Sequence, residues 1–379
     1  MNIVMLSLDQ ALLCTQGEGD SLVRFQAYAK NCKRFQIIVP TTQKAYRKRH
    51  GLVAIIPAYG ANKLFAYLKT FYLTAIFCLQ KQADIVVTND AVLGSIALLA
   101  SAFSATKVQI NIFGLNFLYK KQKDLSLYDK ILKQIQIWAL THANSIRTDT
   151  SFERDYLIEK LHILSEKVFV LPVVPNQQTM HTLISQKSNQ KFRKNLLQGK
   201  EFLVLAVGRL VPEKDFSLLL LALAQVIGKI PKTKLLLVGD GPLKKQLEIE
   251  IKKLNLKQNI QLLGSLSHSK LLELFANVDL FVLSSYKEGL PRVLMYAGLS
   301  SLPIVTTDIP GAYDLFDHQK SALIVEKRNK DQLAKAIIKI LQDQKLALKL
   351  GQAAKKETLK KLDFEKTVNT IISSWQNLK

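Results

Sequence analysis

Cysteine is scarce in this 379-residue chain: Cys14, Cys32 and Cys78 are its only three. An odd number at wide spacing suits neither a disulfide framework nor a metal-binding pattern, and a reducing compartment is expected. No window offers about 18 uninterrupted apolar residues, which argues against a conventional transmembrane helix. The opening Met1–Ser7 carries no basic residue and runs into Asp9. It reads as a first strand and not as a secretory signal. Short repeats and low-complexity tracts are also missing. Acidic side chains fall short as well: 53 Lys and Arg against 30 Asp and Glu leave a net charge of +23.

That charge is shared by both halves. Residues 1–180 hold 21 basic and 12 acidic residues, and the remainder holds 32 and 18. Such a field attracts nucleic acid, anionic lipid or phosphorylated substrates, and does not by itself choose among them. With 48% apolar and 22% charged residues the chain is globular, which excludes a disordered tail protein. Its length suits two domains.

Short apolar runs alternate with amphipathic stretches. Asn2–Leu6, Phe35–Val39 (stopped by Pro40), Ile85–Thr88 and Val108–Ile112 read as strands, with Ser21–Cys32 as a helix. A second series reads as strands at Phe202–Val207, Lys234–Val238, Ile260–Leu263, Leu280–Leu283 and Ile304–Thr306. Helical spacing lies between them and beyond them. Alternation of this kind implies crossover units and parallel sheets. Pro172 and Pro175 mark a boundary. The expected organisation is an α/β chain of two Rossmann-like, doubly wound domains, 1–175 and 176–360, facing a central cleft. A terminal helix occupies 361–379.

Four turns follow strands in the second half. Gly208-Arg209 with Lys214 opens a helix; spacing alone leaves Arg209 and Lys214 either as solvated surface charges or as two cations that, with the helix N–H groups, suit a diphosphate. Val238-Gly239-Asp240-Gly241-Pro242 is a strand-to-helix turn whose role reads as structural. In Glu288-Gly289-Leu290-Pro291 the carboxylate accepts from sugar hydroxyls or caps the next helix; both remain open. Thr307-Asp308-Ile309-Pro310-Gly311 is the fourth.

Taken in order, with Leu263-Gly264 between the second and third, these motifs resemble the C-terminal domain of family 4 glycosyltransferases, retaining enzymes of the GT-B fold. The match covers roughly residues 200–340. The resemblance implies that Arg209 and Lys214 hold the donor's diphosphate and that Glu288 contacts the donor sugar. Gly208 shapes the turn, and the Gly289 and Leu290 amides approach donor phosphate or sugar. No metal and no cofactor are implied, only a nucleotide diphosphate sugar as donor; there is no Asp-x-Asp motif after a strand. One position departs: a second Glu, eight residues after the first, is Tyr296 here. It is expected at the nucleotide, unless it packs in the core. The N-terminal half matches more loosely. Gly17 and Gly19 stand in a loop that resembles the family's glycine loop near donor or acceptor. Gln109–Gly114 lacks the family's frequent histidine, with Asn111 in its region. Phe364–Leu378 is expected to cross back to the first domain.

Residues Lys63–Lys81 interleave Phe65, Tyr67, Phe71, Tyr72 and Phe77 with lysines, near a cluster of Lys44, Arg47, Lys48 and Arg49. Either this segment rests on an anionic membrane surface, or it is a core helix beside a solvated loop. No nucleic-acid motif accompanies the charge. The expected activity is retaining transfer of a hexosyl-type sugar to a saccharide or lipid-linked acceptor. The setting is the synthesis of cell-surface polysaccharide or glycolipid, in the cytoplasm or at the inner membrane face. The alternative is a non-catalytic subunit that keeps the fold.

Overall fold

The computed structural model describes residues 1–13, 20–114 and 126–379, without the side chain of Asp20. Gly17 and Gly19 lie outside the described residues. Two compact units form: Met1–Asn176 together with Phe364–Lys379, and Gln177–Asp363. The second break falls a little beyond the sequence boundary because the helix Gln344–Lys361 runs on to Lys361. Leu362, 2% exposed, then closes it through its N–H to the Thr358 carbonyl.

In the first unit the strands are β1 (Asn2–Leu6), β2 (Arg34–Thr41), β3 (Lys48–His50), β4 (Val53–Tyr59), β5 (Ile85–Thr88), β6 (Lys107–Ile112), β7 (Ser145–Thr148) and β8 (Val168–Val170). They form one sheet in the order β3-β4-β2-β1-β5-β6-β7-β8. All pairs are parallel except β3 with β4. The order reverses at β1, which pairs β2 on one side and β5 on the other.

Pro40 does not stop β2, contrary to the sequence expectation. The strand β1 ends at Leu6, opposite Ile38, so no neighbour on that side needs an N–H from Pro40. The Pro40 carbonyl accepts from Gln10 Nε2 at 2.9 Å. Pro57 in β4 is tolerated for a related reason: β3 pairs only Val53–Ile55, which leaves that edge open beyond it.

One face of the sheet is covered by the helices Lys63–Leu79, Ala91–Ser101 and Leu127–His142. The other is covered by Asp20–Ala29 and by Phe364–Leu378, which returns from the end of the chain. Trp375, 1% exposed, meets the Tyr28 ring edge-on with centroids 5.7 Å apart, and the Phe35 ring at 6.2 Å.

The segment leaving this unit has no regular structure, so its backbone groups need partners from side chains. Arg147 supplies them: Nε donates to Leu171 O at 2.7 Å and Nη2 to Pro172 O at 3.0 Å. Val173 N–H donates to Asp149 Oδ1 at 3.2 Å, and Arg24 Nη1 to Val174 O at 3.4 Å. Burial pushes the Asp149 carboxyl from 3.8 up to about 7; Glu153 adds to the rise, while Arg147, the Val173 N–H and Arg24 oppose it. The folded state therefore holds this proton more tightly than the unfolded chain. Stability falls as pH rises between those two values and is level above them. Asp149→Asn keeps the acceptor for Val173 and removes the titration. Its stability relative to the parent should rise between about pH 4 and pH 7, by on the order of 4 kcal/mol at most. Urea melts at the two ends of that window measure it, and an unchanging difference would contradict a protonated Asp149.

The second unit holds β9 (Phe202–Val207), β10 (Thr233–Val238), β11 (Ile260–Gly264), β12 (Leu280–Leu283), β13 (Ile304–Thr307) and β14 (Leu323–Val325). Their order is β11-β10-β9-β12-β13-β14, all parallel. Parallel strands between two helix layers are apolar on both faces, as the buried run Leu203–Val207 requires. The helix Phe216–Lys229 buries seven of its side chains against the sheet. Order reverses between β9 and β12, and open α/β sheets bind ligands at the carboxyl ends of strands where this happens. No helix among the described residues is long and apolar enough to cross a membrane.

Candidate functional site

Four segments meet at or beside that reversal in the second unit, those after β9, β10, β12 and β13. The chain leaves β9 at Gly208, whose N–H donates to Val238 O at 3.0 Å. Leu210 N–H donates to Asp240 O at 3.0 Å, and Leu243 N–H returns a bond to Leu210 O at 3.0 Å. The two turns are thus stitched together. Gly239 sits at φ +141°, and a Cβ there would lie 1.9 Å from the Gly208 carbonyl oxygen, so only glycine allows this approach.

A single 3-10 turn, Pro212–Lys214, follows, and Asp215 caps the next helix by accepting from Leu218 N–H. This turn is fixed by the loop after β12. Tyr286 N–H donates to Glu213 O at 3.0 Å, and Ser284 Oγ donates to Lys214 O at 2.8 Å. Lys214 Nζ then reaches Glu288 Oε1 at 2.5 Å, with the two side chains 18% and 15% exposed. Ser285 Oγ also donates to Glu288 Oε1, and Thr307 Oγ1 donates to Ser285 O. The loop after β13 closes the group: a Cβ on Gly311 would lie 2.3 Å from Gly289 O and 2.7 Å from Leu290 Cα.

Gly208 and Lys214, after β9, are therefore brought together with Glu288, Gly289 and Leu290, after β12. Arg209 follows Gly208 on the same loop; it is exposed and has no ion pair among the described residues. An ammonium has three donors. Glu288 takes one, and the others remain for a ligand. The helix Arg292–Leu299 begins just beyond, with Pro291 at its N-cap, which has no side chain able to cap it. Backbone N–H groups and cations in one place form an anion site.

Tyr296 is placed differently. It is 4% exposed, with its ring edge-on to His268 at 6.0 Å and to Phe275 at 5.8 Å. The aromatic ring packs in the interior of the second unit, where a carboxylate at the same position would lose its hydration. Asn111, in the first unit, is 3% exposed; it donates to Asn89 Oδ1 at 2.9 Å and accepts from Gln109 Nε2 at 3.0 Å. Gln109 Oε1 in turn accepts from Ser374 Oγ at 3.3 Å on the returning helix.

Sequence reasoning passes over Arg328. Its guanidinium lies 4.6 Å from the centre of the Tyr286 ring, which ties it to the loop carrying Glu288. It follows β14, outside every motif, so only the fold brings it here. Ser285, next to the Ser284 that anchors Lys214, is likewise visible as a partner of Glu288 only in three dimensions.

Residues 187–357 match the family model described as glycosyl transferases group 1. A UDP-Gal:alpha-D-GlcNAc-diphosphoundecaprenol alpha-1,3-galactosyltransferase of Escherichia coli is 24% identical over 271 residues, 70% of this chain and 68% of that protein. Other curated relatives are matched over less of their length: 44% of an uncharacterized glycosyltransferase of Methanocaldococcus jannaschii and 43% of a 2-deoxystreptamine N-acetyl-D-glucosaminyltransferase of Niallia circulans. Among solved structures, sucrose-phosphate synthase of Thermosynechococcus elongatus superposes with a TM-score of 0.83 at 16% identity, over 100% of this chain and 99% of that one. Anabaena HepE, solved with UDP and glucose, gives 0.77 at 17% identity over the whole of both chains. The chain thus has the GT-B fold, and its residues 187–357 match the glycosyl transferases group 1.

Proposed function

We propose that this protein is a retaining glycosyltransferase. It moves a sugar from a nucleotide diphosphate sugar to an acceptor hydroxyl, in the synthesis of a cell-surface polysaccharide or glycolipid. The observation that carries this is the Lys214–Glu288 pair, 2.5 Å apart, with Lys214 on a loop shared with the exposed Arg209, which has no ion pair among the described residues. The two cations, Lys214 held in place and Arg209 on the same loop, stabilise the charge that develops on a departing diphosphate, so no metal ion is needed for that role. Glu288 and the Gly289 and Leu290 amides then face the sugar and its phosphates. The retaining, front-face course of the reaction follows from the resemblance of the motifs.

The relatives' names support the acceptor class: the E. coli protein acts on a diphosphoundecaprenol-linked sugar. A lipid-linked acceptor would place the protein at the inner membrane face. The helix Lys63–Leu79 supports this with Leu64, Phe65, Leu68 and Tyr72 more than half exposed. Tyr67 and Phe77 of the same helix pack against the core instead. Replacement of Phe65 and Tyr72 by Ser should lower co-sedimentation with phosphatidylglycerol vesicles, and binding should weaken with salt. Equal binding to phosphatidylcholine vesicles would reject an electrostatic membrane contact.

Tyr296 favours a second reading. A buried tyrosine where the family usually has a second Glu suits a non-catalytic subunit that keeps the fold. Calorimetric titration with UDP, GDP and ADP separates the two. Saturable binding of one of them supports the enzyme and identifies the base; no binding at millimolar concentration favours the subunit.

A further inference from the structure

The first unit carries a basic cavity that the donor site does not explain. From residue 21 to residue 83 the sequence holds no Asp or Glu but 11 Lys and Arg. The fold gathers five of these around a cavity of about 670 Å³: Lys33, Arg34, Arg47, Lys48 and Arg49, with Phe77 at one wall. Arg34 begins β2; Arg47 stands just before β3, and Lys48 and Arg49 lie on it beside the start of β4. The cavity therefore opens at the amino ends of β2 and β4, the opposite edge from the carboxyl ends where doubly wound sheets bind their usual ligands.

None of the five has a carboxylate partner among the described residues. Lys48 Nζ donates to Leu13 O at 2.6 Å and Arg49 Nε to Gly51 O at 3.1 Å; Lys33, Arg34 and Arg47 are exposed. Structural explanations cover only part of this charge. The helices Asp20–Ala29 and Lys63–Leu79 end nearby, but each helix C-terminus offers only about half a negative charge. Protection of the sheet edge accounts for cations on β3. It does not account for Lys33 and Arg34, because β2 lies two strands inside the edge.

We propose that this cavity binds a phosphorylated ligand, its phosphate held by the Arg34, Arg47 and Arg49 guanidinium groups. Planar guanidinium forks match phosphate oxygens, and no carboxylate among the described residues lines the cavity to repel an anion. The inference goes beyond the transferase reading and stands or falls separately from it. A soluble phosphate compound and a lipid headgroup offer the same chemistry.

Phenylglyoxal modification of the full chain, followed by peptide mass spectrometry, reads these arginines one by one and does not depend on the donor site. The probes are inorganic pyrophosphate, phosphatidylglycerol vesicles and phosphatidylcholine vesicles. Slower modification of Arg34, Arg47 and Arg49 with pyrophosphate identifies a soluble ligand. Slower modification with phosphatidylglycerol vesicles alone identifies a headgroup. Protection by neither anionic probe, or equal protection by phosphatidylcholine, overturns the proposal. Calorimetry with the protecting probe adds a second readout. Replacing the three arginines by Ala should weaken its affinity about a hundredfold. Replacing the exposed Lys107, Lys130 and Lys160 removes the same charge elsewhere in the unit and should change affinity by no more than about threefold. Equal losses in the two triple variants would also overturn the proposal.

Discussion

Lys214→Ala should lower turnover about a thousandfold while changing the donor KM far less, a loss on the order of 4 kcal/mol in the transition state. The reason is the place of Nζ, fixed by Glu288 and by a backbone that Ser284 and Tyr286 hold from the next strand's loop. A cation placed before the diphosphate departs needs no reorganisation when charge appears. The same change also leaves Glu288, 15% exposed, with Ser285 as its remaining side-chain partner, which costs about 1–3 kcal/mol of stability. The double variant Lys214→Ala, Glu288→Gln separates the effects. It should recover the stability and not the turnover. Single-variant turnover within about tenfold of the parent would remove Lys214 from the transition state.

Gly239→Ala should destabilise the second unit by about 3 kcal/mol or more. Two costs combine: a left-handed φ of +141° and a Cβ only 1.9 Å from the Gly208 carbonyl oxygen. The neighbour is backbone and cannot swing aside, so the seam between the loops after β9 and β10 must open. Arg209 and Lys214 hang from that seam, so activity should fall with stability. Gly228→Ala is the control, because nothing lies within 4 Å of its added Cβ. A shift in the urea midpoint no larger for Gly239→Ala than for the control would contradict the close approach.

Much of this arrangement was legible in the chain, and the illegible parts have physical causes. The strands of the second unit are short, mostly apolar runs, wholly so in β9 and β12, between amphipathic helices, so periodicity locates them. In the first unit β7 reads Ser-Ile-Arg-Thr, buried but polar in composition, because Arg147 spends its charge on carbonyls of the departing segment. No apolar pattern marks such a strand. Pro40 and Pro57 look like breakers, and are harmless only because neighbouring strands end before reaching them. In the candidate site, Gly208, Lys214, Glu288 and Gly311 stand in recognisable turns. That Lys214 and Glu288 touch, 74 residues apart, depends on strand order, which no local spacing encodes. Arg328 and Ser285 carry no signal until the loops are assembled.

The returning helix Phe364–Leu378 has a consequence for how the molecule is made. Trp375 closes the core of the first unit against Tyr28 and Phe35, so that core contains residues from both ends of the chain. The second unit is contiguous, Gln177–Asp363, and every residue it needs has been synthesised before Phe364 is added. The part made first therefore keeps its Tyr28 and Phe35 rings without Trp375 until Phe364–Leu378 has been made, after every residue of the second unit.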